Sequence, residues 1–375
     1  MIMMIQRRLF QSIQQQLFKG KAILLLGPRQ VGKTTLIREL LKGKEHLFLD
    51  GDDPAIRELL KQINTAKLKN VIGKNTIVYI DEAQRIEGIG LTLKIITDQF
   101  KHVQLLVSGS SALEINNQTQ EPLTGRKFEY HLYPISWGEF EESVGYIEAS
   151  QQLESRLIFG MYPEVINSDA AFYQVLKELA TSYLYKDVLT LTGIRKPEIL
   201  EKLLRALALQ VGSEVSYNEL ANLLQIDKAT VAKYIDILEK SYIIFQLNSF
   251  SRNLRNEIKN NRKIYFYDNG IRNMIINNLN PLELRNDKGA LWENFLIAER
   301  IKVQAYQHLY ANNYFWRTVY QQEIDFVEEL NGAIEAYEFK WKRTGKEKIP
   351  LSFLEKYDAK GSVIDIENFR DFLNG

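Results

Sequence analysis

The chain has no cysteine. Disulfides, thiolate nucleophiles and cysteine-based zinc sites are therefore excluded. Only 4 histidines are spread over 375 residues, so a histidine-rich metal site is not expected. No apolar run approaches the roughly 20 residues needed to span a membrane. Net charge is +1, which removes any global electrostatic case for nucleic acid. Binding of that kind would need a local basic patch. The N-terminal stretch MIMMIQRRLFQSIQQQLFKG carries Arg7 and Arg8 followed by glutamines, not a long apolar core. It reads as an amphipathic helix rather than a signal peptide. These absences predict a cytoplasmic protein with no membrane partner. Hydrophobic content of 45% and charged content of 25% are ordinary for a soluble protein, and the length suggests about two to three domains.

What is present is sharper. Ala22 to Leu26 is a short apolar run that reads as a buried strand. Gly27-Pro28-Arg29-Gln30-Val31-Gly32-Lys33-Thr34 then fits G-x-x-x-x-G-K followed by Ser or Thr, and Thr35 to Leu41 continues as an apolar-periodic helix. Glycines let such a loop curl its N–H groups toward phosphate oxygens, and the helix N-terminus adds partial positive charge. Residues 27–35 are thus the expected nucleotide-binding residues. Lys33 is expected on the β- and γ-phosphates and Thr34 on Mg²⁺.

Thr76-Ile77-Val78-Tyr79-Ile80 is β-branched and apolar, and Asp81-Glu82 follows at once. An acidic residue ending a buried strand needs a cation to answer it. Asp81 is expected to hold the Mg²⁺ through water, and Glu82 to orient or deprotonate the attacking water. Residues 1–145 alternate strands (Ala22–Leu26, His46–Leu49, Ile77–Ile80, Gln104–Val107, Lys127–Leu132) with helices (Thr34–Leu41, Pro54–Lys61, Leu91–Phe100). That alternation predicts an α/β domain with a mainly parallel sheet, its nucleotide at the carboxyl ends of the strands. Ser108-Gly109-Ser110-Ser111 follows the fourth strand there. The Ser108 hydroxyl reads either as a γ-phosphate sensor or as a helix cap. Arg126 reads either as the cation that neutralises transition-state charge or as a structural arginine.

Residues 146–197 have helical periodicity with tyrosines such as Tyr173, Tyr183 and Tyr185, a helical lid or linker whose aromatic stripe reads as core. Residues 198–285 read as a winged-helix domain. Glu198–Val211 is a first helix. The box Ser216-Tyr-Asn-Glu219 starts a second. Asp227 caps a third, Lys228–Lys240, and a strand begins at Ile243. Lys228, Thr230, Lys233 and Tyr234 are expected on the exposed face of the third helix. Arg252, Arg255, Lys259, Arg262 and Lys263 are expected in the wing. Two partners fit: DNA, with a helix in the major groove, or a protein on the same scaffold.

Residues 286–375 carry a third constellation. Glu293 lies in a helical stretch, Asp325 in the alternating Glu323-Ile-Asp-Phe-Val, and Glu338 and Lys340 share one face of the strand Ala333–Trp341. A hairpin turned at Leu330-Asn-Gly332 would bring Asp325 to them. The carboxylates could bind a second divalent metal with Lys340 positioning a water, or form a salt-bridge network on a sheet face.

In order, GPRQVGKTTL, VYIDEAQ, SGSSA, LTGR, YPISWGEF, FGMYPEV, SYLYKDV, GALWENFL, FWR and EIDFV with EFK resemble one group. It is the bacterial and archaeal AAA-like P-loop ATPases with a C-terminal domain of unknown function. The resemblance spans almost the whole chain, from Ile5-Gln-Arg7-Arg8-Leu9 onward. It implies an ATPase core, a helical and winged-helix middle and a C-terminal α/β fold like the PD-(D/E)xK (restriction-endonuclease-like) nucleases. Glu293, Asp325, Glu338 and Lys340 fall on the nuclease-like pattern, with Ile324 where that pattern usually has proline. It also favours ATP over GTP. The leading expectation is an Mg²⁺-dependent ATPase coupling nucleotide state to its C-terminal half. The alternatives are an ATP-regulated DNA nuclease and a nucleotide-switched module that binds protein or DNA with little basal turnover. The sequence leaves open the oligomeric state and whether Arg126 acts within its own subunit or across an interface.

Overall fold

A computed structural model gives the fold and describes residues 4–110, 123–168, 171–181, 196–252, 262–345 and 348–374. The chain forms two compact units. The first comprises residues 4–135 with Lys240–Tyr242, and the second comprises 136–239 and 243–375.

The first unit runs α1 (Leu9–Gln16), β1 (Ala22–Leu26), α2 (Lys33–Leu40), β2 (Leu47–Asp50), α3 (Pro54–Leu60), α4 (Thr65–Ile72), β3 (Ile77–Asp81), α5 (Ile89–Gln99), β4 (Gln104–Gly109) and β5 (Lys127–His131). Its five strands are ordered β2-β3-β4-β1-β5, and every pair is parallel. Every residue of β1, β3 and β4 is buried. Strands covered on both faces read as unbroken apolar runs, as Ala22–Leu26 and Ile77–Ile80 do. Parallel pairing puts all the strand carboxyl ends along one edge of the sheet.

The helix at α4 has no counterpart in the sequence expectations. Leu68 and Ile72 are its buried i, i+4 pair, and Asn64 caps it by accepting from Lys67 N at 2.9 Å. α5 begins at Ile89 rather than Leu91, because Gly88 (φ 70°) supplies a left-handed entry. No helix among the described residues is long and apolar enough to cross a membrane.

The second unit opens with helices Trp137–Val144 and Tyr146–Phe159. Ser136 and Glu139 form a full capping box on the first of these. From residue 197 the order is helix (Pro197–Leu209), β6 (Glu214–Val215), helix (Tyr217–Leu224), helix (Lys228–Lys240), β7 (Ile244–Ser249) and β8 (Arg262–Phe266). The expected caps form: Ser216 Oγ accepts from Glu219 N at 3.4 Å, and Asp227 Oδ1 from Thr230 N at 2.8 Å. After helices Asn269–Ile275 and Lys288–Tyr306 come β9 (Asn312–Arg317), β10 (Glu323–Leu330), β11 (Ala333–Phe339) and β12 (Lys360–Ile364). One seven-stranded sheet, ordered β12-β11-β10-β9-β7-β8-β6, runs through both stretches. The join is the parallel β7–β9 pair, extended by Phe250 N donating to Phe315 O at 2.7 Å. The hairpin turn is Asn331-Gly332, both at positive φ, with Leu330 paired to Ala333.

Three exposure expectations need correction. Tyr234 does not lie on the open face of Lys228–Lys240; it is buried beside Val231, Ile235 and Leu238, because one apolar stripe of that helix feeds the core. Lys263 is not in a wing but buried in β8. Tyr173 is exposed rather than core. Ser111, Tyr183, Tyr185, Arg255 and Lys259 lie outside the described residues.

Gly160 (φ 80°) has no room for a side chain. A Cβ there would overlap the Asp268 carboxylate, which accepts from Met161 N at 2.7 Å and Ile271 N at 3.0 Å. Gly160→Ala is expected to destabilise the second unit by about 3 kcal/mol through strain and loss of these bonds. Thermal denaturation followed by circular dichroism checks it, and an unchanged melting curve would refute it.

Candidate functional site

The phosphate-binding loop leaves β1 at the carboxyl edge of the first sheet. Gly27 (φ 148°) sits against Leu132, where any Cβ would overlap the Leu132 carbonyl, so the loop can turn there only with glycine. Gly32 (φ 94°) precedes α2, and no side chain caps that helix. Glycine at that position brings no side chain to compete with an anion for the first N–H groups. Lys33 is buried, with Nζ donating to Gly27 O at 2.8 Å and Pro28 O at 2.6 Å. An ammonium that donates to loop carbonyls lies where phosphate oxygens can take their place. Thr35 and Gln30 are exposed, whereas Pro28 and Val31 are buried.

The Thr34 hydroxyl donates to Asp81 Oδ2 at 2.8 Å. Ser108 Oγ donates to Asp81 Oδ1, and Tyr79 OH lies 2.9 Å from Ser108 Oγ. Strand order explains the contact: β4 lies between β3 and β1, and Ile80 pairs with Val107, so Ser108 comes beside Asp81. Burial, reinforced by the Asp81 charge, pushes the Tyr79 phenol far above its usual range, so it stays neutral. Thr34 and Asp81 together present the hydroxyl and carboxylate oxygens that Mg²⁺ takes as ligands. The structure thus brings Lys33, Thr34, Asp81 and Ser108 together.

Glu82 follows in a left-handed backbone conformation (φ 47°, ψ 41°) unusual for a non-glycine residue. Its Oε2 accepts from Gln84 Nε2 at 2.5 Å and from Ser110 Oγ at 3.4 Å, and Gln84 also reaches Ser110 Oγ at 2.8 Å. Gly51 lets β2 approach this corner: its N donates to Asp81 O at 2.9 Å, and a Cβ there would overlap the Glu82 and Asp81 carbonyls. Arg7 is buried beside the loop, with Nη1 donating to Val31 O and Nη2 to Tyr133 O, both at 2.6 Å. Tyr79, Gln84, Gly51 and Arg7 had no assigned role in the sequence. Their only signal was proximity to the motifs, because each acts through a contact distant in sequence or through the backbone.

Arg126 lies elsewhere. It precedes β5, and its carbonyl accepts from Ala22 N at 2.9 Å, at the amino end of β1. One strand length, about 17 Å at 3.3 Å per residue, separates that edge from the loop. Its guanidinium is paired with Asp98 at 2.6 Å. Neutralising charge at its own subunit's phosphate loop is therefore ruled out by the parallel register.

The third constellation does assemble in the second unit. Asp325 Oδ2 accepts from Phe339 N at 2.8 Å, and Lys340 Nζ meets Glu338 Oε1 at 2.6 Å. The buried Lys263 joins them, with Nζ 2.6 Å from Glu323 Oε1 and 3.3 Å from Glu293 Oε1, which also accepts from Tyr265 OH at 2.6 Å. Among the described residues no group of three or more His, Asp or Glu side chains is placed to hold a metal ion. The second divalent metal expected from the sequence has no such group behind it; Lys263 and Lys340 bring two positive charges to these four carboxylates. Burial would lower the Lys263 pKa, but Glu293, Asp325 and Glu323 outweigh it and hold the group above its usual value. Burial, then the nearby Asp325 charge, raises the Glu293 carboxyl from 4.5 to about 7. Asp325 and Glu338 are also raised, first by burial.

The pH consequence has a definite sign. Below pH 4.5 Glu293 is protonated whether folded or not, and it costs nothing. Above pH 7 it is ionised in both states, and the folded state bears the full cost. The second unit is therefore expected to lose stability as pH rises from 4.5 to about 7. Glu293→Gln should shrink, without abolishing, the drop in its melting temperature between about pH 5 and pH 7.5. A variant whose melting temperature falls as steeply as the wild type would refute the assignment.

Residues 19–141 match a family model described as AAA domain. Residues 150–282 match one described as domain of unknown function (DUF8612), and 288–372 another (DUF4143). An uncharacterized protein of Mycobacterium tuberculosis is 29% identical over 373 residues, covering 97% of this chain and 79% of its own length. An uncharacterized protein of Methanocaldococcus jannaschii is 22% identical over 339 residues, covering 84% of this chain and 74% of its own. Among solved structures, a Walker-type ATPase of Pyrococcus abyssi aligns with TM-score 0.50 at 16% identity, covering 72% of this chain and 96% of that one. That likeness shows the fold. With the matched family model, it gives the first unit the fold of an AAA-type P-loop domain.

Proposed function

We propose that this chain is an Mg²⁺-dependent ATPase whose nucleotide state is passed to its C-terminal half. The observation that carries the reading is the 2.8 Å bond between Thr34 Oγ1 and Asp81 Oδ2, made beside Lys33. It supports a metal position flanked by the loop that holds phosphates. ATP would lie along residues 27–35, with Lys33 leaving the Gly27 and Pro28 carbonyls for the β- and γ-phosphates. Bound Mg²⁺ supplies charge neutralisation at the phosphate oxygens. Thr34 and Asp81 hold it, Ser108 fixes the Asp81 carboxylate, and Glu82 orients the water. Gln84 and Ser110 set the direction of the Glu82 carboxylate.

The C-terminal cluster supports the salt-bridge reading over the nuclease reading, because Lys263 and Lys340 answer its carboxylates. The helix and strand order from Pro197 to Phe266 supports a winged-helix fold. Lys228 and Lys233 remain exposed on its third helix, beside exposed Asp227 and Asp236. This mixed face suits a partner-binding module, with duplex DNA and protein both to be tried.

Phosphate release from ATP with Mg²⁺ tests the reading. Lys33→Ala is expected to abolish nucleotide binding. Glu82→Gln should bind ATP yet lose about 10²–10⁴-fold in turnover. Normal turnover in Glu82→Gln would remove Glu82 from the mechanism.

The place of Arg126 favours one further reading, action across an interface between two copies. Mixing Lys33→Ala with Arg126→Ala protein should then restore turnover that neither has alone, since one composite site would carry both native residues. Turnover by Arg126→Ala at the wild-type rate would show that the residue is structural.

A further inference from the structure

The phosphate loop holds an unfavourable backbone between Gln30 and Gly32. Gln30 (φ 60°) and Gly32 (φ 94°) both lie in the left-handed region, and Val31 between them does not. Glycine adopts that conformation freely, but a glutamine there is strained. Alternation of this kind turns successive N–H groups into a concavity that suits an anion. A strained segment persists only where its surroundings hold it, and Arg7 holds the middle residue. Its Nη1 donates to Val31 O and its Nη2 to Tyr133 O, both at 2.6 Å. The side chain is 6% exposed, and a Cβ on Gly32 would stand 4.0 Å from Nη1. The other prong of the fork is anchored as well. Leu132 N donates to Leu26 O at 2.8 Å, which ties the residue before Tyr133 to the end of β1. Pro134 follows Tyr133 and restricts its backbone, and the guanidinium itself is planar and rigid.

The peptide that joins Val31 to Gly32 is planar and trans, so its C=O and N–H point in opposite directions. With the carbonyl turned to Arg7, the Gly32 N–H is turned away from it. That N–H has no hydrogen-bond partner among the described residues. We propose that Arg7 is a positioning residue for nucleotide: by holding the Val31 carbonyl it aims the Gly32 N–H at a phosphate oxygen of a nucleoside di- or triphosphate. The proposal rests on the ATP-binding reading of residues 27–35. The charge on Arg7 also polarises the peptide it holds, which makes the Gly32 N–H a stronger donor. A lysine carries the charge but lacks the rigid fork that reaches both carbonyls.

NMR of the full chain with isotope-labelled glycine tests this, alongside measured ADP affinity. In the wild type, saturation with ADP and Mg²⁺ is expected to move the Gly32 amide proton downfield as it donates to phosphate. Arg7→Lys should bind ADP about tenfold more weakly. Its Gly32 shift should be smaller even when the site is saturated, a change that loss of stability alone would not produce. Arg7→Ala should show both effects more strongly, and Arg7→Lys, which keeps the stem and the charge, carries the test if Arg7→Ala does not fold. Wild-type affinity in Arg7→Lys overturns the proposal. So does weakened affinity with a full Gly32 shift at saturation, which makes Arg7 a support of the fold alone. A wild-type Gly32 amide that stays put on saturation overturns it too. Each of these results leaves the ATP site standing where binding is lost in Lys33→Ala. Absence of Lys33-dependent binding overturns the nucleotide reading, and the role of Arg7 with it.

Discussion

Asp81 is the group around which the nucleotide edge is built. It ends a strand whose every residue is buried, so its charge has little water to answer it. Three groups answer it instead: the Thr34 hydroxyl, the Ser108 hydroxyl and the Glu82 N–H at 3.1 Å. Each comes from a different piece of chain, α2, β4 and the turn after β3. Losing one such partner at a buried carboxylate costs about 1–3 kcal/mol. The carboxylate therefore fixes the loop and β4 relative to each other before any ligand arrives. A site preorganised in this way spends little of its binding energy on ordering itself.

The second unit solves a similar charge problem differently. Glu293, Glu323, Asp325 and Glu338 face one another in a largely buried setting that raises three of their pKa values. Lys263 reaches them from β8, and it can do so because β8 belongs to the same sheet as β10 and β11. Strand continuity through the β7–β9 pair thus delivers the counter-charge. A fold with two separate sheets would leave those carboxylates either repelling one another or dependent on a bound cation.

What could be read in advance follows from the range of each interaction. The phosphate loop and the Asp81-Glu82 pair are local patterns, and the fully buried strands Ala22–Leu26 and Ile77–Ile80 declare themselves by composition alone. Glu293, Asp325, Glu338 and Lys340 were also legible, since helix and strand periodicity place them. Lys263 was not. Its stretch of basic residues looks like a solvated wing, and only pairing with Glu293 and Glu323 shows it to be interior. Tyr234 misled for the same reason: a polar-tipped aromatic on a charged helix has no local mark of burial.

Two arginines show how burial, not residue type, sets a role. Arg7 is almost wholly enclosed and forks two backbone carbonyls, so moving it would strand both carbonyls and a charge. Arg126 is 40% exposed and holds a solvent-facing carboxylate whose pKa it lowers by hydrogen bonding. Pairs of that kind are weak in water, so the guanidinium can exchange partners at little cost. The parallel register places it at the edge of the sheet away from its own phosphate loop. The same sheet thus encloses one arginine beside the phosphate loop and leaves the other part-exposed at its opposite edge, paired with Asp98.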